Sequence, residues 1–144
     1  MRISAKGEYA IKAMVDLALH DGPGLQPIQD IAARQHIPQR YLEQVLLQLK
    51  RSGFLYARRG SAGGYRLNRP PDQVTVGALL RAVEGPPAGP DTPRRGRGED
   101  AAGLHDLWQE IADAVASVVD RTTLEDLRRR AEERRSSARP MYHI

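Results

Sequence analysis

Arg40, Glu43 and Gln44 fall within five residues of one another, and each carries a group that pairs with a base edge. Arginine forks onto the N7 and O6 acceptors of guanine, glutamine pairs with adenine, and glutamate accepts from the cytosine amino group. Gln39 and Tyr41 stand beside them, and Lys50 follows less than two helical turns later. Interleaved with this set are Leu42, Val45, Leu46 and Leu49, whose spacing makes them one face of a helix. The polar set is therefore predicted on the outer face. Every amphipathic helix has such a face, so the spacing alone leaves a merely solvated surface open.

A second set follows. Arg58 and Arg59 lead into Gly60-Ser61-Ala62-Gly63-Gly64, where glycines would let the backbone approach a phosphate or a groove wall. A nucleotide-binding loop is the rival reading, and it fails on spacing. No GxxxxGK(S/T) occurs, no lysine follows the glycines, and the stretch runs into Tyr65-Arg66-Leu67, which reads as a strand and not as a helix N-terminus. Two readings are left: a plain hairpin turn, or a basic hairpin that meets a polyanion.

Other chemistry lacks its residues. Cysteine is absent, which removes disulfides, thiol catalysis, cysteine-ligated zinc and thiolate-held iron-sulfur clusters. His20, His36, His105 and His143 show no ligand spacing, Ser61 has no GxSxG context, and the carboxylates are scattered. No catalytic residue, metal site or cofactor is expected, and the chain reads as a non-enzyme.

The helix carrying the polar set is predicted to begin at Pro38 and to end near Gly53, whose missing Cβ suits a left-handed cap. Before it, a short helix places Pro27 at its first position and turns Ile28, Ile31 and Ala32 inward. A turn at residues 35–37 joins the two, which is the helix-turn-helix arrangement. A scaffold helix over residues 4–20 is capped by Ser4 and supplies Ala10, Met14, Leu17 and Ala18 to the core. Residues 54–59 and 65–67 form two strands around the glycine-rich tip, and a hairpin directly after a recognition helix is a wing. The expected DNA-facing residues are Gln39, Arg40, Tyr41, Glu43, Gln44 and Lys50 from the helix and Arg58, Arg59, Gly60 and Ser61 from the wing. Arg2 and Lys6 add to them from the N-terminal end.

Charge distribution agrees with that placement. Residues 1–86 hold twelve Lys/Arg against seven Asp/Glu, a net of +5, whereas residues 87–144 hold ten against eleven, a net of −1. No run of eighteen apolar residues occurs and MRISAKGEYA has no apolar leader, so a soluble, cytoplasmic chain with no membrane partner is expected. Residues 85–103 read GPPAGPDTPRRGRGEDAAG, too rich in proline and glycine to sustain a helix, and are expected to be a flexible loop. Beyond it, Leu104, Leu107, Trp108, Ile111, Val115 and Val118 make one apolar stripe on a helix of about sixteen residues. Such a stripe needs a cover. A helix tethered through this loop is expected to pack on its copy in a homodimer, which makes a pseudo-palindromic duplex the matching target. Thr122 and Thr123, three residues before Glu125 and Asp126, announce a capping box for a final helix. Its arginines 128–130, 134 and 135 interleave with Glu132 and Glu133 and read as a solvated face.

The segments MRISAKGEYAIKAMVDLA, IPQRYLEQVLLQLKRSG and RRGSAGGYRL together resemble the Rrf2 family of bacterial winged helix-turn-helix regulators, with YLEQ followed by RGxxGGY carrying the likeness. It spans about the first 85 residues without a gap and continues more loosely through LHDLW and TTLEDL. The resemblance implies a mainly α fold with a small β-hairpin: a winged domain over residues 1–84 and the loop over 85–103. A crossed dimerisation helix and a short C-terminal helix would follow over 104–135, with a tail over 136–144. It implies DNA contacts at Tyr41, Glu43, Gln44, Arg59 and Gly60. Cluster-binding members place three cysteines in the loop, some with a histidine before the Leu-Trp pair. This chain keeps His105 and has no thiolate, so a cluster-free member is implied, and Glu8 reads as a surface residue and not as a ligand. Glu84-Gly85-Pro86, TTLEDL and the MYHI ending resemble the branch governing cysteine metabolism. That branch implies repression of cysteine or sulfur genes, with a cysteine-biosynthesis enzyme or a small-molecule effector as partner. The alternative is a winged-helix module that binds a metabolic enzyme without reading DNA. Such a module would have no need of Tyr41, Gln44, Arg58 and Arg59.

Overall fold

The computed structural model describes residues 3–85 and 101–138. Arg2, residues 86–100 of the expected loop and residues 139–144 of the expected tail lie outside the described residues. Among these residues the order is α1 (Ala5–Leu19), α2 (Ile28–Gln35), α3 (Gln39–Arg51), β1 (Leu55–Arg58), β2 (Gly64–Leu67), α4 (Val76–Glu84), α5 (Ala101–Arg121) and α6 (Leu124–Ala138). A 3-10 turn at Pro71–Gln73 precedes α4. The architecture is mainly helical with one antiparallel hairpin, as expected.

Each boundary has a local cause. Ser4 caps α1, its hydroxyl accepting from the Gly7 N–H, while its own N–H and hydroxyl donate to the Glu84 carboxylate at the end of α4. Pro27 and Pro38 are caps and not first helical residues: both have extended ψ, of 146° and 125°, and the helices begin at Ile28 and Gln39. For Pro27 the reason is tertiary, because its neighbour Gln26 pairs with Tyr65 as a short strand and holds the chain extended. His36 takes the left-handed conformation, φ 54°, that closes the turn between α2 and α3. Gly53, φ 84°, does the same after α3, where the Phe54 N–H returns to the Leu49 carbonyl and the Gly53 N–H to that of Lys50.

Ala10, Ala13, Met14 and Leu17 of α1 meet Ile31 of α2, Leu42, Val45, Leu46 and Leu49 of α3, and Leu79 and Val83 of α4 in one core. α6 completes it. Leu124 is fully buried there, and its N–H donates to the Val74 carbonyl at 2.8 Å while the Val76 N–H donates to Thr122 at 2.9 Å. The capping box forms as the spacing predicts: the Asp126 N–H donates to the Thr123 hydroxyl and the Thr123 N–H to the Asp126 carboxylate. Hydrogen bonds from the Thr123 backbone N–H and then from its hydroxyl hold the Asp126 carboxyl below the usual carboxylate range. Arg128 pairs with Glu125 and Glu132, and Arg129 with Glu125, so these two arginines of α6 are held in an ion-pair network with its carboxylates.

One charge lies inside. Asp16 of α1 is completely buried and accepts from Arg34 Nε and Nη at 2.9 and 2.8 Å and from Gln35 Nε2 at 3.1 Å. Arg34 also donates to the Gln26 side chain at 3.0 Å, and the Gln26 backbone exchanges two bonds of 2.9 Å with Tyr65. A polar chain thus runs from α1 through α2 to Tyr65 on β2, near the turn of the hairpin. The hydrogen bond to Asp16 holds the Arg34 guanidinium above its ordinary range.

α5 starts at Ala101, three residues ahead of the apolar stripe, and its 21 residues span about 31 Å. Its last turns lie on α4, where Arg81 and Asp120 pair at 2.7 Å. Leu104, Leu107 and Val118 remain 51%, 46% and 49% exposed, while Trp108, Ile111 and Val115 are half-buried.

Candidate nucleic-acid interface

α3 displays its predicted outer face. Gln39, Arg40, Tyr41, Glu43, Gln44 and Lys50 are all exposed, with Leu42, Val45, Leu46 and Leu49 turned inward. At its start the Arg40 guanidinium lies over the Tyr41 ring, 5.3 Å from the centroid. This stacking pairs the two side chains at the N-terminal end of the helix.

Two depressions flank the helix. On one side, Lys6 and Tyr9 of α1 face Tyr41, Gln44 and Val45 across a cleft of about 480 Å³. On the other, Lys50 of α3 and Arg58, Arg59, Gly60 and Ser61 of the wing line a groove of about 450 Å³. Pro27, Ile28 and Gln29 close that groove, and α2 has no side-chain cap at its N-terminus. The N-terminal end of α2 and three cationic side chains therefore border one space, an arrangement suited to phosphate. Eight of the predicted residues thus gather into two clusters on either side of α3, whereas Gln39, Arg40 and Glu43 stand exposed on the helix outside both, and Arg2 alone lies outside the described residues.

The wing pairs Leu55 with Leu67, Tyr56 with Arg66, Ala57 with Tyr65 and Arg58 with Gly64. Arg66 stacks on Tyr56 at 4.4 Å, stiffening the outer face. The glycines divide by role, which the sequence did not separate. Gly60, φ 110°, has open space around it, as a close approach to another molecule requires. Gly63 and Gly64 instead crowd the chain itself: a Cβ on Gly63 would strike the Arg58 carbonyl, and one on Gly64, φ 150°, the Gln26 carbonyl. Gly64→Ala is accordingly expected to cost roughly 2 kcal/mol, read as a lowered denaturation midpoint, because left-handed strain and backbone collision add. A substitution that leaves the midpoint unchanged would show that the Gln26 strand yields. Burial pushes the Tyr65 phenol up, with the Glu43 carboxylate adding to it.

Leu47 and Gln29 were missed by sequence reasoning. Leu47 falls off the 42/45/46/49 stripe and is 44% exposed in the wing groove, which its spacing alone would have shown. Gln29 joins the groove only because α2 is folded against the hairpin.

Comparison with known proteins decides the family. The Rrf2 family, described as iron-dependent transcriptional regulators, matches residues 3–130. The chain belongs to the Rrf2 family. The HTH-type transcriptional regulator CymR of Bacillus subtilis strain 168 is 38% identical over 127 residues, covering 88% of this chain and 89% of that protein. The HTH-type transcriptional regulator IscR of Pectobacterium carotovorum subsp. carotovorum strain PC1 is 37% identical over 129 residues, covering 88% and 79%. Among solved structures, CymR of B. subtilis, titled the global cysteine regulator, superposes with a TM-score of 0.77 over 89% of this chain and 96% of that one, at 38% identity. T. potens IscR does so with 0.77 over 99% and 94%, at 31% identity. Among the described residues no donor set for iron is found. Cysteine is absent from the sequence, and among the described residues no group of three or more His, Asp or Glu side chains could hold a metal ion. His105 stands exposed on α5, and Glu8 is exposed on α1 beside Lys12, at 3.3 Å. Among the described residues no helix is long and apolar enough to cross a membrane.

Proposed function

We propose that this Rrf2 protein is a homodimeric, sequence-specific DNA-binding transcription regulator that represses cysteine or sulfur metabolism genes in the cytoplasm. The observation that carries the reading is the exposed polar face of α3, flanked by Lys6 on one side and by Lys50, Arg58 and Arg59 on the other. α3 enters the major groove, where Gln39, Arg40, Glu43 and Gln44 meet base edges and Tyr41 braces Arg40. Lys6, Lys50, Arg58 and Ser61 hold the flanking phosphates, and Arg59 reaches the narrow groove beside Gly60. The exposed stripe of α5 pairs with its copy, since Leu104, Ile111 and Val118 repeat every seven residues with Leu107 between them, as in a two-stranded seam. Two recognition helices then face a pseudo-palindromic operator.

Sulfur genes are proposed from the likeness to CymR, titled the global cysteine regulator of B. subtilis. With no thiol in the chain, the switch is a cysteine-biosynthesis enzyme or a small-molecule effector. The function is regulatory, with no catalytic step.

Selection of duplexes from the source genome, followed by gel shifts at several salt concentrations, tests the reading. Affinity is expected to fall steeply with salt as phosphate counterions are released. Arg59→Ala is expected to lose about 1–3 kcal/mol of operator binding and to relax preference at the bases beside the wing. Binding equal to the parent would remove Arg59 from the interface, and the absence of any selected duplex would sink the whole reading.

A further inference from the structure

Leu47 is out of place by polarity. Its neighbours of the same type on α3, Leu42, Leu46 and Leu49, are fully buried, whereas Leu47 is 44% exposed. Lone exposed leucines are ordinary on protein surfaces and need no explanation. This one has a particular setting. It follows Glu43 by four residues and Gln44 by three, and it precedes Lys50 by three, so it lies in the middle of the face that presents the polar set. It also lines the groove shared with Arg58, Arg59 and Gly60.

A groove ringed by Lys50, Arg58 and Arg59 is complementary to a polyanion and not to an apolar protein surface. The one apolar group that projects from the floor of a major groove is the thymine C5 methyl, set among hydrogen-bond donors and acceptors. We propose that Leu47 is a specificity-determining residue that packs on a thymine methyl in each half-site. It selects T·A over C·G at that position where the polar set cannot. This rests on the DNA-binding reading above. Glu43 and Gln44, one turn earlier, would contact the adjacent base pairs, so the thymine lies next to theirs on the side of the wing.

Replacing each thymine of a selected operator by deoxyuridine, one at a time, removes the methyl and nothing else. The parent chain is expected to lose about three- to tenfold in affinity at one thymine per half-site, in line with one methyl-sized apolar contact. Leu47→Ala is expected to bind the intact operator about as weakly as the parent binds the uridine duplex, and to be indifferent to uridine at that position. Leu47→Gln serves as a second variant, and it too should lose the methyl dependence; because residue 47 is exposed, both should melt like the parent. Parent binding that ignores uridine at every position overturns the proposal while leaving DNA binding intact. So does a Leu47→Ala chain as uridine-sensitive as the parent. Failure to bind any duplex in a salt-dependent way overturns both readings together.

Discussion

Arg34→Ala is expected to lower the stability of the chain by about 3–5 kcal/mol, read as a melting temperature depressed by roughly 10–20 °C. The size follows from what is left behind. Asp16 has no exposed surface, and Arg34 supplies two of the three side-chain hydrogen bonds its carboxylate accepts. Without the guanidinium, a buried charge keeps only Gln35. The reverse truncation is gentler, because Arg34 is 30% exposed and can turn toward water. Asp16→Asn combined with Arg34→Ala should therefore be more stable than Arg34→Ala alone, since the second change removes the stranded charge. If the double variant melts below the single one, the carboxylate is not the source of the loss. The effect should reach the wing as well, because Arg34 also holds Gln26, whose backbone carries Tyr65.

Leu107→Asp is expected to halve the mass in solution and to lower operator affinity by about 100-fold or more, with the helical content retained. Leu107 is 46% exposed in the single chain, so a carboxylate there meets water and not core. In the proposed dimer it would face its copy in the α5 seam, where two like charges cannot be buried together. Loss of the pair turns one two-handed binding event into two separate weak ones, and joined sites exceed single ones by roughly 10²–10⁴. Sedimentation together with the gel shift distinguishes the outcomes. A chain that keeps its mass and its affinity would move the dimer interface off this helix.

Local rules made much of this legible in advance. Leu42, Val45, Leu46 and Leu49 could only be the inner face of one helix, and that placed Gln39, Arg40, Glu43 and Gln44 outward. The Thr123–Asp126 box needed three intervening bonds and no partner from elsewhere. Pro27 and Pro38 were read one position too far into their helices, since proline fixes φ and leaves ψ to the neighbours. Leu47 was passed over because an apolar residue in a polar set looks like core until its angle on the helix is compared with the buried stripe.

The amino-acid sequence by itself determined the elements, the outward set on α3, the basic wing and the absence of any thiol, because these depend on residue type and short-range spacing. Tertiary structure alone decided three things. It gave Gly63 and Gly64 to the chain's own backbone and Gly60 to the outside, it seated Leu124 of α6 in the core, and it buried Asp16 beneath Arg34. Apart from Gly63, which meets Arg58 within its own hairpin, these join residues far apart in the chain, such as Asp16 with Arg34 or Gln26 with Tyr65, and no local pattern encodes which distant backbone or charge will be brought against them.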